Sequence, residues 1–137
     1  MAKKIWKILF VFYLCVLLRI TVFRSGWTGN DFFCGSVELM PFQTIFSYLK
    51  TGEYWYFCYL FLGNVLWFIP LGTYATVKEK KLWNCALYGF ALSFFIECMQ
   101  FVLNTGYSEV EDLLLNTLGA VLGGIFGLAI KNFIKNK

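Results

Sequence analysis

Four long apolar runs divide the chain, covering about residues 5–24, 54–77, 82–103 and 112–134. Each is about 20 residues or slightly longer, enough for a helix to cross a ~30 Å hydrocarbon core with some tilt. The first starts after Lys3 and Lys4 as a signal peptide would, but no small-residue cleavage site follows and Arg19 and Arg24 break the exit. It is therefore read as an uncleaved first span. The segment from about Ser25 to Glu53 is too polar to cross. Within it Phe42, Ile45, Phe46 and Leu49 recur at helical spacing, opposite Gln43, Thr44, Ser47 and Lys50 and directly after Pro41. Proline suits the first turn of a helix, so the pattern predicts a short amphipathic helix over about residues 42–50, ending near Gly52. Such a helix lies on the outer membrane surface or caps the helices beneath it. The predicted fold is an all-α integral membrane protein, a single membrane domain over residues 1–137 with four transmembrane helices and one short external helix.

Cationic residues orient the spans. Lys3, Lys4 and Lys7 stand at the N-terminus, Lys78, Lys80 and Lys81 join the second run to the third, and Lys131, Lys135 and Lys137 stand at the C-terminus. The first external loop has only Arg24 and Lys50, and the loop before the fourth run has none. Basic residues mark the cytoplasmic side, which places both termini inside. The acidic residues Asp31, Glu38, Glu53, Glu109, Glu111 and Asp112 then all fall outside.

Composition agrees. The 137 residues are 59% hydrophobic and 15% charged, where a soluble domain carries roughly 25% charge. The net charge of +4 comes from lysines at the ends of apolar runs. No basic stripe with interleaved aromatics lies outside those runs, which argues against nucleic-acid binding. The chain has no histidine, the commonest general base and transition-metal ligand. Its five cysteines (Cys15, Cys34, Cys58, Cys85, Cys98) are scattered without a C-x-x-C pair. No disulfide framework, metal site or cofactor is indicated.

Candidate chemistry sits where lipid should reject it. Arg19, Asn64, Glu97 with Gln100, and Asn116 interrupt the four apolar runs. An ionisable group at mid-depth costs at least ~2.5–3.5 kcal/mol, so such residues face protein, water or a partner. At 1.5 Å per residue, Arg19 lies roughly 21 Å into the first run and Glu97 roughly 9 Å below the outer end of the third. Asp112 and Asn116 begin the fourth run, so all but Asn64 fall in the external half. Ser93, Glu97, Gln100 and Asn104 make one helical stripe, and Asp112, Asn116, Gly119, Gly123 and Gly127 another. Glycines four apart let helix backbones approach closely and also offer a homodimer interface. Pro70 should kink the second span and free a carbonyl near Leu66 that Asn64 or a neighbouring helix satisfies. Asn64 and the Gly119/Gly123/Gly127 ridge are read as packing devices, and Arg19 and Glu97 as functional charges. The acidic run Glu109, Glu111, Asp112 reads as solvated loop, except that Asp112 shares the Asn116 face and can cap the fourth helix.

These residues resemble a known family. Asn64-Val65-Leu66-Trp67-Phe68-Ile69-Pro70-Leu71-Gly72 is similar to the N-x-x-x-F-x-P-x-G segment of the VanZ-like family. Glu97-x-x-Gln100 and the run from Glu109 through Asp112 and Asn116 to Gly119 resemble its E-x-x-Q and D-x-D-D-x-x-x-N-x-x-G segments. Arg19 and Met40-Pro41-Phe42 also fit, and the five motifs stand in the family's order from about Arg19 to Gly127. Two departures stand out: Glu109 and Glu111 replace aspartates, and the 104–108 loop carries Gly106-Tyr107 without the arginine often found there. The resemblance implies a small bacterial cytoplasmic-membrane protein with a cell-envelope role, the founding member being linked to low-level teicoplanin resistance. It brings no established reaction.

Two functions follow as expectations. In the first, Arg19, Glu97, Gln100, Asp112 and Asn116 line an outward-facing polar pocket for an envelope component such as a cell-wall precursor, or a lipoglycopeptide, with Arg19 on an anionic group and lipid as surroundings. In the second, the protein is an enzyme on a lipid-linked substrate, with Glu97 and Asp112 as acid and base. The lack of histidine, phosphate loop and nucleophile elbow weighs against the second. A transporter ranks last, for want of an internal repeat or a polar path on the inner side.

Overall fold

In lipid, a backbone must satisfy its own polar groups, and apolar runs of this length do so as helices. The computed structural model describes residues 2–23, 32–79 and 81–136. Arg24, Asp31, Lys80 and Lys137, used above to orient the chain, lie outside the described residues, as do the side chains of Lys3 and Lys78. The element order is α1 (Ala2–Thr21), β1 (Ser36–Glu38), α2 (Gln43–Thr51), α3 (Tyr54–Glu79), α4 (Leu82–Leu103), β2 (Tyr107–Glu109) and α5 (Val110–Lys135). The fold is all-α apart from the two short strands, which pair as a two-stranded sheet.

Among the described residues, three helices are long and apolar enough to cross a membrane: α3 over Tyr54–Val77, α4 and α5. Four were expected. The difference is α1, whose 20 residues include Lys3, Lys4, Lys7 and Arg19. Trp55 and Trp83 are each 77% exposed and begin α3 and α4, with Tyr54 and Tyr56 also exposed beside Trp55. Amphipathic rings at successive helix starts fit the headgroup level of a bilayer.

The chain forms two compact units, Met1–Val37 with Phe95–Ser108, and Glu38–Phe94 with Glu109–Lys137. In the first, Leu17, Val22, Ile96 and Leu103 are the buried apolar residues. Helix α4 ends there in a reverse turn. Asn104 adopts φ 50°, its N–H bonds the Phe101 carbonyl, and Thr105 N–H bonds that of Gln100. This is the pattern of a Schellman cap with asparagine in the left-handed position. Asn104 therefore stands outside α4, and the polar stripe expected to include it ends at Gln100. The segment before β1 lies against the same helix end, with Phe33 N–H on Val102 O at 2.9 Å and Gly35 N–H on Phe101 O at 3.2 Å. A Cβ at Gly35 would stand 2.6 Å from Phe101 Cα, so only glycine fits.

The second unit is organised by α3 and α5. A Cβ at Gly119 would collide with the Val65 carbonyl, one at Gly123 with the Ile69 carbonyl, and one at Gly72 with the Ala120 carbonyl. The two backbones thus touch through glycines from both helices, the close approach that small residues permit in membranes. Threonines bridge the seam. The Thr73 hydroxyl lies 3.0 Å from both the Ile69 carbonyl of its own helix and the Gly123 carbonyl of α5. The Thr76 hydroxyl donates to Gly72 O at 2.7 Å and approaches Gly124 O at 3.3 Å. Lys131 from α5 reaches the Val77 carbonyl in the last turn of α3. The ridge Gly119, Gly123, Gly127 is thus covered within the chain by α3. Pro70 lies inside α3 without ending it.

Helix α2 packs on this seam. Ile45, Val65 and Leu115 form a buried cluster flanked by Phe42, Phe57 and Phe61. Gly52 closes α2 at φ 77°, as its place after the apolar pattern suggests. The start differs from expectation. Pro41 falls before the helix, and Phe42 takes the N-cap at φ 63° with no side-chain cap bond. A bulky residue there is an outlier, held by the packing of Phe42 on the cluster.

A leucine at Gly119 should lower unfolding stability in detergent by about 2 kcal/mol or more, because the displaced group is backbone and cannot rotate away. Alanine at Gly63, where nothing lies within 4 Å of the new Cβ, should leave it unchanged or gain up to about 1 kcal/mol. Denaturation followed by circular dichroism separates the two.

Candidate functional site

The first unit holds Arg19, Glu97 and Gln100. Arg19 is exposed and donates to the Phe23 carbonyl one turn on. A cation there faces the negative end of the helix dipole. Glu97 and Gln100 are buried, 8% and 6% exposed. Gln100 Nε2 donates to the Thr21 carbonyl at 3.2 Å, joining α4 to the end of α1. Its Oε1 is buried with no hydrogen-bond partner. Ser108 Oγ donates to the Glu97 carbonyl at 2.7 Å, which fixes β2 against α4.

The second unit holds Asp112 and Asn116. Helix α5 begins at Val110, two residues before the expected start, because β2 runs straight into it. Glu109 is the N-cap, extended at φ −114° and ψ 129°. Asp112 consequently falls in the first turn and not at the N-cap. Its Oδ1 accepts a hydrogen bond from Asn64 Nδ2 on α3. The Asn64 amide is thus turned to α5, where a role toward the Leu66 carbonyl had been expected. One turn deeper, Asn116 Nδ2 donates to Ser93 Oγ on α4 at 2.9 Å. Ser93 is fully buried and Asn116 nearly so. The Asn116 Oδ1 atom is buried without a partner. Leaving such an acceptor unpaired costs about 1–3 kcal/mol.

The residue that sequence reasoning passed over is Glu111. It is 3% exposed, not a member of a solvated loop. Its carboxylate faces the backbone N–H groups of Phe42 and Ile45 at the start of α2 and hydrogen-bonds with the Glu109 side chain. It therefore supplies in trans the cap that Phe42 lacks. The only available signal was its phase: Glu111 and Leu115 are four apart, and Leu115 belongs to the buried cluster. Carboxylate oxygens of Glu109, Glu111 and Asp112 lie within 4.8 Å of one another, the one group among the described residues with the spacing to hold a metal.

The sequence profile of the family described as VanZ/LLP1 matches residues 10–131. The chain belongs to this family. It is also similar to Protein VanZ of Enterococcus faecium, 26% identical over 143 residues that cover all of this chain and 83% of that protein. No solved structure matches. With three helices able to cross a bilayer, this VanZ/LLP1 member is a multi-pass membrane protein.

The Asn64–Asp112 pair is open to a double-substitution cycle. Interhelical hydrogen bonds of membrane proteins average ≈ 0.6 and reach ≈ 1.7 kcal/mol. Asn64→Ala and Asp112→Ala should each destabilise, and the double variant should recover a coupling energy of about that size in steric-trap or detergent unfolding.

Proposed function

We propose that this protein binds an envelope component or a lipid-bearing glycopeptide at polar groups near the start of α5, and so contributes to resistance to teicoplanin-type antibiotics. The carrying observation is Asn116. Its amide nitrogen is engaged by Ser93, while its buried oxygen has no donor. An acceptor held in this way suits a ligand hydroxyl or amide N–H, groups abundant in cell-wall precursors and glycopeptides. Asp112, half-buried and oriented by Asn64, adds a charged acceptor one turn nearer the helix start. Arg19, Glu97 and Gln100 belong to the first unit and are proposed separately, from their depth in the sequence, as further ligand groups, with Arg19 as the group for an anion.

The same reading takes α1 as a further span and puts both termini in the cytoplasm, from the lysine distribution. Membership of the family and similarity to Protein VanZ support the envelope assignment.

Cells expressing the wild type should survive a higher teicoplanin concentration than cells with an empty vector. Asn116→Leu, which keeps the volume and removes both polar atoms, should lose most of that protection while still reaching the membrane in comparable amount. Arg19→Ala and Glu97→Ala test the remaining members in the same assay. Equal protection by well-folded variants would rule the pocket out. Topology is checked separately: a cysteine placed at Asn136 should resist a membrane-impermeant maleimide in intact cells, and one at Tyr107 should react.

A further inference from the structure

The acidic run at the start of α5 has a property that neither a solvated loop nor a helix cap explains. Glu109 is extended and Glu111 and Asp112 sit in the first helical turn, so the chain curls and brings three carboxylates to within 4.8 Å of one another. The middle one is 97% buried by its 3% exposure. The backbone amides of Phe42 and Ile45 face this carboxylate, yet its Oε2 atom is buried with no hydrogen-bond partner. A fourth acid, Glu38, lies near enough to repel it, and the Glu38 Oε1 atom already accepts the Met40 N–H at 3.0 Å. A buried carboxylate oxygen with no donor, beside two further carboxylates, suits a cation.

We propose that Glu109, Glu111 and Asp112 bind a hard divalent cation of calcium's size, with Glu111 Oε2 as the buried ligand. Ligand oxygens stand at about 2.3–2.6 Å from calcium, so three carboxylate oxygens within 4.8 Å of one another can share one such ion. All three donors are carboxylate oxygens and the chain has no histidine, which disfavours zinc and copper. Asp112 accepts one hydrogen bond from Asn64 and, as a carboxylate, keeps lone pairs for an ion. The ion would tie the first turn of α5 to the start of α2 through the one carboxylate that touches both. This site shares Asp112 with the proposed ligand site but does not include Asn116, and calcium binding by the ligand-free protein tests it apart from glycopeptide binding.

The test uses the full chain, purified in detergent, stripped with EDTA and titrated with calcium chloride by calorimetry. One saturable calcium site per chain is expected, together with a higher unfolding temperature in calcium than in EDTA. Glu109→Gln, at the half-buried N-cap, should weaken calcium binding by about tenfold or more. Glu111→Gln should do the same. Because Glu111 also holds α2, Glu109→Gln keeps the test valid if the second variant misfolds. Glu53→Gln, outside the cluster, should bind as the wild type does. Absence of saturable calcium binding would overturn the proposal. So would binding that survives Glu109→Gln unchanged.

Discussion

Contact of backbone on backbone between α3 and α5 is the constraint from which the second unit is built. In lipid there is no hydrophobic gain from joining two apolar helices, so association rests on close packing and hydrogen bonds. Gly72, Gly119 and Gly123 bring carbonyls of one helix onto the other, and Thr73 and Thr76 bond across the gap so created. The same proximity lets Asn64 meet Asp112 and brings Val65 to Leu115 beneath Ile45. Polar chemistry at the start of α5 is thus positioned by small residues further along the same helix.

Much of this was legible because the signals were periodic. Leu82 and Leu103 bound α4 where the apolar run begins and ends, and Tyr54 opens α3 as its pattern requires. Glycines four apart announced a close helix contact, and Gly52 after an amphipathic stretch announced the end of α2. What could not be read depended on partners distant in sequence. Asn64 and Asp112 are 48 positions apart, and Gln100 and Thr21 are 79. Glu111, between other acids, is marked as buried only by its phase with Leu115. Strands of three residues are too short to show alternation, and Phe42 in the left-handed region breaks the local rule that helped to place α2. The first span was the weakest inference about the fold, because four cationic residues dilute its apolar run.

The polar residues that interrupt the apolar runs do not share one role. Arg19 satisfies a carbonyl near the end of its own helix, Gln100 and Asn64 join elements, and Asn116 uses one end of its amide for α4 and leaves the other unpaired. Packing and binding are therefore not exclusive readings. An amide fixed at its nitrogen is held in place to present its oxygen, as a preorganised site demands. Membership of the VanZ/LLP1 family sets the biological context, and these geometries say which atoms remain available for it.

The support of α2 by Glu111 changes how that helix should be viewed. A free amphipathic helix on a bilayer takes its tilt and affinity from lipid charge and curvature. Helix α2 is instead pinned at its first turn by a carboxylate of α5 and along its length by Ile45 on Val65 and Leu115. Its orientation is set by the protein's own covalent and packing geometry. It should remain in place in membranes of differing lipid composition.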